Sequence, residues 1–146
     1  MKGWIIVLAA LMLMPALASA YPAEEKPDSM VTVYYFHGDR RCQSCIKIEK
    51  YTEEAVKNFF TERMESGDLV YRVINTDREE NRHYIDDYQL YTKSVILSLT
   101  RGGKEVRHKN LTKVWQYLRD REKFIDYIRE ETEEFLAGLE KEKEKS

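Results

Sequence analysis

Cysteine is scarce in this chain, with only Cys42 and Cys45 among 146 residues. Two cysteines are too few to scaffold a small fold by disulfides. They are also too few for an iron–sulfur cluster, which asks for four cysteines, and for structural zinc, which asks for four ligands. Cys42, Cys45 and His37 together would leave copper(I), a soft ion that two thiolates suit, or a site shared between two copies. Proline is nearly as rare: Pro15, Pro22 and Pro27 all precede residue 28, so none lies beside the cysteines. No basic excess points to nucleic acid, and no internal repeat is visible.

What is present begins with a leader. Lys2 is followed by an apolar run from Trp4 to Ala18 that closes on Ala18-Ser19-Ala20, small residues spaced as signal-peptidase cleavage requires. A membrane anchor needs about twenty apolar residues without a cleavage signal, and no cysteine follows to carry a lipid. The expectation is a soluble mature protein, periplasmic or secreted, that starts at Tyr21 and does not span the membrane. Lys2 is the only charge removed, leaving 26 acidic against 23 basic side chains (24 less Lys2). About 126 residues suffice for one domain with an ordinary core. The expected division is 1–20 signal peptide, 21–30 flexible leader, 31–138 one α/β domain and 139–146 a charged, solvated helical tail.

Within the domain, Val31-Thr32-Val33-Tyr34-Tyr35-Phe36 is β-branched or aromatic throughout and predicts a buried strand. After the polar His37-Gly38-Asp39-Arg40-Arg41 come Ile48, Tyr51, Ala55, Val56, Phe59, Phe60 and Met64 at steps of three and four. They predict a helix from the cysteines to Ser66-Gly67. Leu69 to Asn75 predicts a second strand, parallel to the first because a helix joins them. Asn75-Thr76-Asp77 offers caps for a short helix through about Leu90. Gly102-Gly103 between Ser94–Thr100 and Lys104–Lys109 predicts an antiparallel hairpin. Leu111, Val114, Trp115, Leu118, Ile125 and Ile128 predict a long helix from about Thr112.

A C-x-x-C motif where a strand hands over to a helix puts the first sulfur against unpaired backbone N–H groups, which favour the thiolate. The second, three residues on, lies on the same helix face within disulfide reach. Arg40 and Arg41 add positive charge, so the Cys42 thiol is expected below its ordinary value of about 8.5, with Asp39 opposing. A bridge across so short a loop adds little stability. The pair is better suited to opening and closing than to stapling.

The strand Val31 to Phe36, the Cys42-Gln43-Ser44-Cys45 turn, the helix after it and the Ser94 to Val106 hairpin with Gly102-Gly103-Lys104-Glu105 resemble the thioredoxin superfamily over roughly Val31 to Ile128. The resemblance implies a thioredoxin-like three-layer α/β fold, βαβ-α-ββα around a mixed four-stranded sheet. It also implies Cys42 as the attacking thiol, Cys45 as the resolving one, and no cofactor. The family's Trp before the motif and Gly-Pro within it are replaced by Arg41 and Gln43-Ser44. Its buried acid on the first strand gives way to Tyr35 or Phe36, so no proton acceptor for Cys45 is identified. Its cis-proline position, where substrate is presented, falls on Ser94. A cis Lys93–Ser94 bond would cost about 2.5–4 kcal/mol, so trans is expected.

Other residues have plainer readings. His37 could serve Cys42 as a proton relay or ligand, or be an ordinary loop histidine. His83 and Asp87 have metal spacing on what reads as a solvated face. His108 alternates outward on the hairpin. Tyr34, Tyr51 and Tyr71 fall on core periodicity. Asn110-Leu111-Thr112 is a glycosylation acceptor or a helix start. Two function classes remain. One is a thiol–disulfide oxidoreductase acting on exported thiol or disulfide proteins or small thiols and served by a membrane electron carrier. The other is a non-enzymatic carrier of copper or a partner-docking module.

Overall fold

The computed structural model describes residues 27–144. The expected signal peptide, most of the expected leader and the last two residues of the tail lie outside the described residues.

Strand β1 (Ser29–His37) is central in a sheet of order β2-β1-β3-β4. It pairs parallel with β2 (Leu69–Asn75), in register Val31↔Leu69 to His37↔Asn75. On its other side it runs antiparallel to β3 (Ser94–Arg101), Phe36 opposite Ser94. β4 (Lys104–Asn110) completes the sheet antiparallel to β3. Gly102 and Gly103 turn that hairpin at φ +54° and +74°, the left-handed geometry a two-residue hairpin needs and only glycine adopts freely. The register shifts between Leu99 and Thr100, where β4 carries an extra residue.

β1 reads as unbroken apolar sequence because both its faces are covered. Val31, Val33 and Tyr35 face the main core with Val95, Leu97 and Leu99 of β3. Two helices lie on that side: α1 (Gln43–Phe59), which buries Cys45, Ile48, Thr52, Ala55 and Val56, and α4 (Arg121–Lys143), which buries Phe124, Ile128, Phe135 and Leu139. Tyr34 and Phe36 face the other way, against Tyr84 and Tyr88. Those belong to a short helix called α3 (His83–Tyr88), numbered after a five-residue helix α2 (Thr61–Glu65). Tyr88 and Ser98 both donate to Glu105 Oε2, at 2.6 and 2.5 Å, which ties α3 to the hairpin. The layers are helices, sheet and one short helix, in the order βαβ-α-ββα expected.

Three element boundaries, and the placement of Tyr34, differ from expectation. The first helix does not run on to Ser66: Phe60 leaves helical geometry at φ −130°, ψ 23° and is buried, and α2 restarts after it. Turning that ring into the core interrupts the ladder. The helix through Leu90 is instead a 3₁₀ turn (Glu79–Asn81) followed by α3, because Asn75 Oδ1 accepts from the Asp77 N–H and closes a turn. The long helix starts at Arg121, not Thr112. Thr112–Trp115 is a 3₁₀ turn that buries Leu111 and Val114, and Asp120 caps α4 by accepting from Lys123 N–H at 3.1 Å. Tyr34 leaves the main core for the α3 face, where it is half-buried; Tyr51 and Tyr71 pack at the core's edge as expected. α4 continues into the charged tail, where Glu140 pairs with Arg63 at 2.6 Å.

Candidate active site

The site is built where β1 ends. Thr76 donates to the His37 carbonyl through its N–H at 2.8 Å and its hydroxyl at 3.1 Å. Asp39 N–H donates to Asp77 Oδ2 and Asn75 Nδ2 to Asp39 Oδ1, each at 2.7 Å. A Cβ at Gly38 would stand 2.7 Å from Asp77 Oδ2, so glycine lets the loop lie flat on the end of β2. Cys42 is thereby delivered in extended conformation (φ −94°, ψ 168°) to the N-cap of α1.

At the cap, the backbone N–H of Cys45 donates to Cys42 Sγ at 3.3 Å. A helix start offers such unpaired donors to whatever sits before it, and here it offers one to sulfur. Cys42 and Cys45 are joined in a disulfide, their Cα atoms 5.1 Å apart. The two sulfurs are unequally placed: Cys42 is exposed and Cys45 is fully buried. The bridge therefore sits where the central strand of a β2-β1-β3-β4 sheet passes into its first helix. The fold is thioredoxin-like.

No family model matches the sequence, and no curated protein matches it. Solved structures similar to this thioredoxin-like chain include the thioredoxin of Fasciola hepatica, at 18% identity over 63% of this chain and 81% of that one, with a TM-score of 0.38. A mutant thioredoxin from Halobacterium salinarum NRC-1 is 20% identical over 68% and 73%, TM-score 0.39. Trypanosoma brucei brucei thioredoxin is 17% identical over 69% and 79%, TM-score 0.39.

The two arginines do not act alike. Arg41 forms an ion pair with Glu49 of α1, and its Nη1 lies 3.5 Å from His37 Nε2. Arg41 is thus a paired charge. Arg40 is exposed and lines a cleft of about 230 Å³ beside the loop, with His37, Asp77, Ile85, Tyr91 and Lys93. His37 Nδ1 is 2.9 Å from its neighbour's carbonyl, Gly38 O, and its Nε2 is the ring nitrogen that faces Arg41. A larger hollow of about 700 Å³, lined by Phe59, Arg63 and Glu140 among others, lies at the opposite end of α1 from the cysteines.

Ser94 opens β3 opposite Phe36, and no peptide bond among the described residues is cis. Its side chain is buried and donates to the Thr92 carbonyl at 2.9 Å. The preceding carbonyl, of Lys93, accepts from the Trp115 indole at 3.2 Å. Tyr91 just before it is 93% exposed. His83 pairs with Asp87 at 2.8 Å, and His108 with Glu105 at 2.7 Å, both on the surface away from the main core. Among the described residues no three His, Cys, Asp or Glu side chains are grouped to hold a metal. Asn110 is exposed at the end of β4.

Sequence reading missed Glu49, Asp77 and Trp115. Glu49 is Cys45 plus four, the one spacing that could have flagged it, since residues four apart share a helix face. Tyr35 stands out in the sequence only as a residue where an acid is usual. Its hydroxyl donates to the Cys45 carbonyl at 2.8 Å, out of water.

Proposed function

We propose that this protein carries out thiol–disulfide exchange through Cys42 and Cys45, acting on exported proteins or small thiols. One observation carries the reading: a closed two-residue-spaced disulfide whose first sulfur is exposed at a helix N-terminus and whose second is buried beneath it. In the reducing direction, the Cys42 thiolate attacks a substrate disulfide. A mixed disulfide forms, one substrate sulfur leaves as thiolate and takes up a proton. Cys45 then loses its proton and attacks Cys42 Sγ, and the second substrate thiolate departs. Two electrons pass from the protein to the substrate, and the protein ends oxidised. Run backwards, the same steps oxidise a dithiol.

The Cys45 N–H that meets Cys42 Sγ supports the first step, because a donor at a helix start favours thiolate over thiol. Arg40 adds to it at the rim. Direction follows from reduction potential, where about 30 mV corresponds to 1.4 kcal/mol. The leader ending at Ala20 makes an oxidising compartment part of the proposal, with a membrane electron carrier to reset the cysteines. N-terminal sequencing of the native protein is then expected to begin at Tyr21.

The direct test uses glutathione disulfide on the reduced protein. The chain is expected to return to its Cys42–Cys45 disulfide with release of two glutathione thiols per chain, and the Cys42→Ser variant is expected to release none. A reduced protein that ignores glutathione disulfide and instead retains one copper(I) per chain would overturn the reading in favour of a carrier.

A further inference from the structure

The inference rests on the exchange reading above. Opening the Cys42–Cys45 bridge removes the covalent tie on the first turn of α1, and resolution requires Cys45 to return to Cys42. Gln43 and Ser44 between them put no proline in that turn, and the first turn of a helix is its least constrained part. Something other than the bridge must keep Cys45 in place.

Tyr35 is placed to do so. It lies on β1, in the middle of the sheet, and is completely buried in the same core as Val33 and Ile48. Its ring stacks on that of His37, 5.7 Å between centroids, and its hydroxyl reaches the Cys45 carbonyl at 2.8 Å. The helical ladder uses one lone pair of such a carbonyl, and the phenol takes the other. Burial, with Glu49 reinforcing it and Arg41 opposing, pushes the Tyr35 phenol up to about 12. It therefore stays a donor at every pH where thiols exchange. One turn along, the Tyr71 hydroxyl makes a longer contact, 3.4 Å, to the Glu49 carbonyl.

We propose that Tyr35 is the positioning residue for the resolving cysteine, its phenol anchoring the Cys45 carbonyl so that Cys45 Sγ stays within closing distance of Cys42 while the bridge is open. In the closing step the new bond is Cys45 Sγ to Cys42 Sγ, and the bond that breaks joins Cys42 to the substrate sulfur. The electron pair leaves with that sulfur, and the proton lost by Cys45 goes to solvent or to the departing thiolate. The phenol neither gives nor takes a proton; it fixes distance.

The test is Tyr35→Phe, which keeps the ring and removes only the hydroxyl. Loading Cys42 with glutathione and timing its release measures closing. Closing is expected to slow by about three- to ten-fold, the weight of one buried hydrogen bond, while alkylation of Cys42 in the reduced protein stays within about two-fold of the parent. Cys45 is expected to alkylate faster by about the same factor as closing slows, a reading that needs no exchange activity. Tyr71→Phe, matched in chemistry but bonded one turn away, should leave both rates unchanged. The proposal is overturned if Tyr35→Phe closes as fast as the parent with Cys45 equally protected, or if both variants slow closing alike, which is general destabilisation. If the parent forms no glutathione adduct, the exchange reading fails, and the Cys45 alkylation rate still decides the role of Tyr35.

Discussion

Cells expressing the Cys45→Ser variant are expected to accumulate the protein in adducts with other proteins that a reducing agent releases, and cells expressing Cys42→Ser to accumulate none. The asymmetry follows from burial. Cys42 is open to an incoming disulfide and Cys45 lies under the first turn of α1, so losing the exposed sulfur stops attack, and losing the buried one stops only resolution. The size of the effect comes from intramolecularity. A well-oriented neighbouring nucleophile acts at an effective concentration on the order of 10⁵ M or more, and without it a mixed disulfide waits for thiols present in the medium. Adduct lifetimes should therefore lengthen by several orders of magnitude, long enough to survive non-reducing electrophoresis. Partners drawn from exported proteins would support the compartment proposed above. Partners drawn only from the cytosol would remove it, and adducts in neither variant would remove exchange itself.

The parts of this molecule legible in the sequence are those specified by local chemistry. Val31 to Phe36 is a strand because a stretch of β-branched and aromatic residues has no other good use, and Gly102-Gly103 turns a hairpin because both positions need positive φ. The position of Cys42 at a helix start was readable from the change of hydrophobic period on either side of it. The errors fall where tertiary packing decides. Phe59 and Phe60 both fit the helical stripe, yet the core admits Phe60 and leaves Phe59 45% exposed, and the helix breaks at Phe60, between Phe59 and Thr61. Leu111 and Val114 were apolar at helical spacing, but a 3₁₀ turn buries them equally well, and the cap that starts α4 was Asp120. In the site, Arg41 looked like a free charge beside sulfur. Its partner Glu49 stands eight residues on, across a loop and into a helix, a separation at which no pattern links two side chains. Asp77 braces Asp39 from 38 positions away for the same reason.

Above about pH 10, the ordinary phenol value, the protein is expected to lose stability steeply and unfold as one unit before its buried tyrosines ionise in place. Burial is the first cause that pushes Tyr34, Tyr35, Tyr71, Tyr88 and Tyr127 up, with neighbouring carboxylates adding to it at Tyr35, Tyr71, Tyr88 and Tyr127. Tyr35 and Tyr127 reach about 12. A tyrosine is neutral when protonated, so a raised value in the folded state means that the unfolded chain releases these protons first. The stabilisation is complete below the unfolded value and is lost as pH rises from there through the folded values. Two pKa units correspond to roughly 3 kcal/mol for each such group, against a total of about 5–15 kcal/mol for a domain of this kind. A few groups therefore suffice to tip the balance. Tyrosinate absorbance and far-ultraviolet circular dichroism followed together against pH test this. The main rise in tyrosinate is expected to coincide with the loss of helix signal, and Tyr71→Phe is expected to make the transition shallower by one proton. If the tyrosinate signal instead reaches its full amplitude while the helix signal is intact, these phenols ionise within the folded protein, and burial does not hold them neutral.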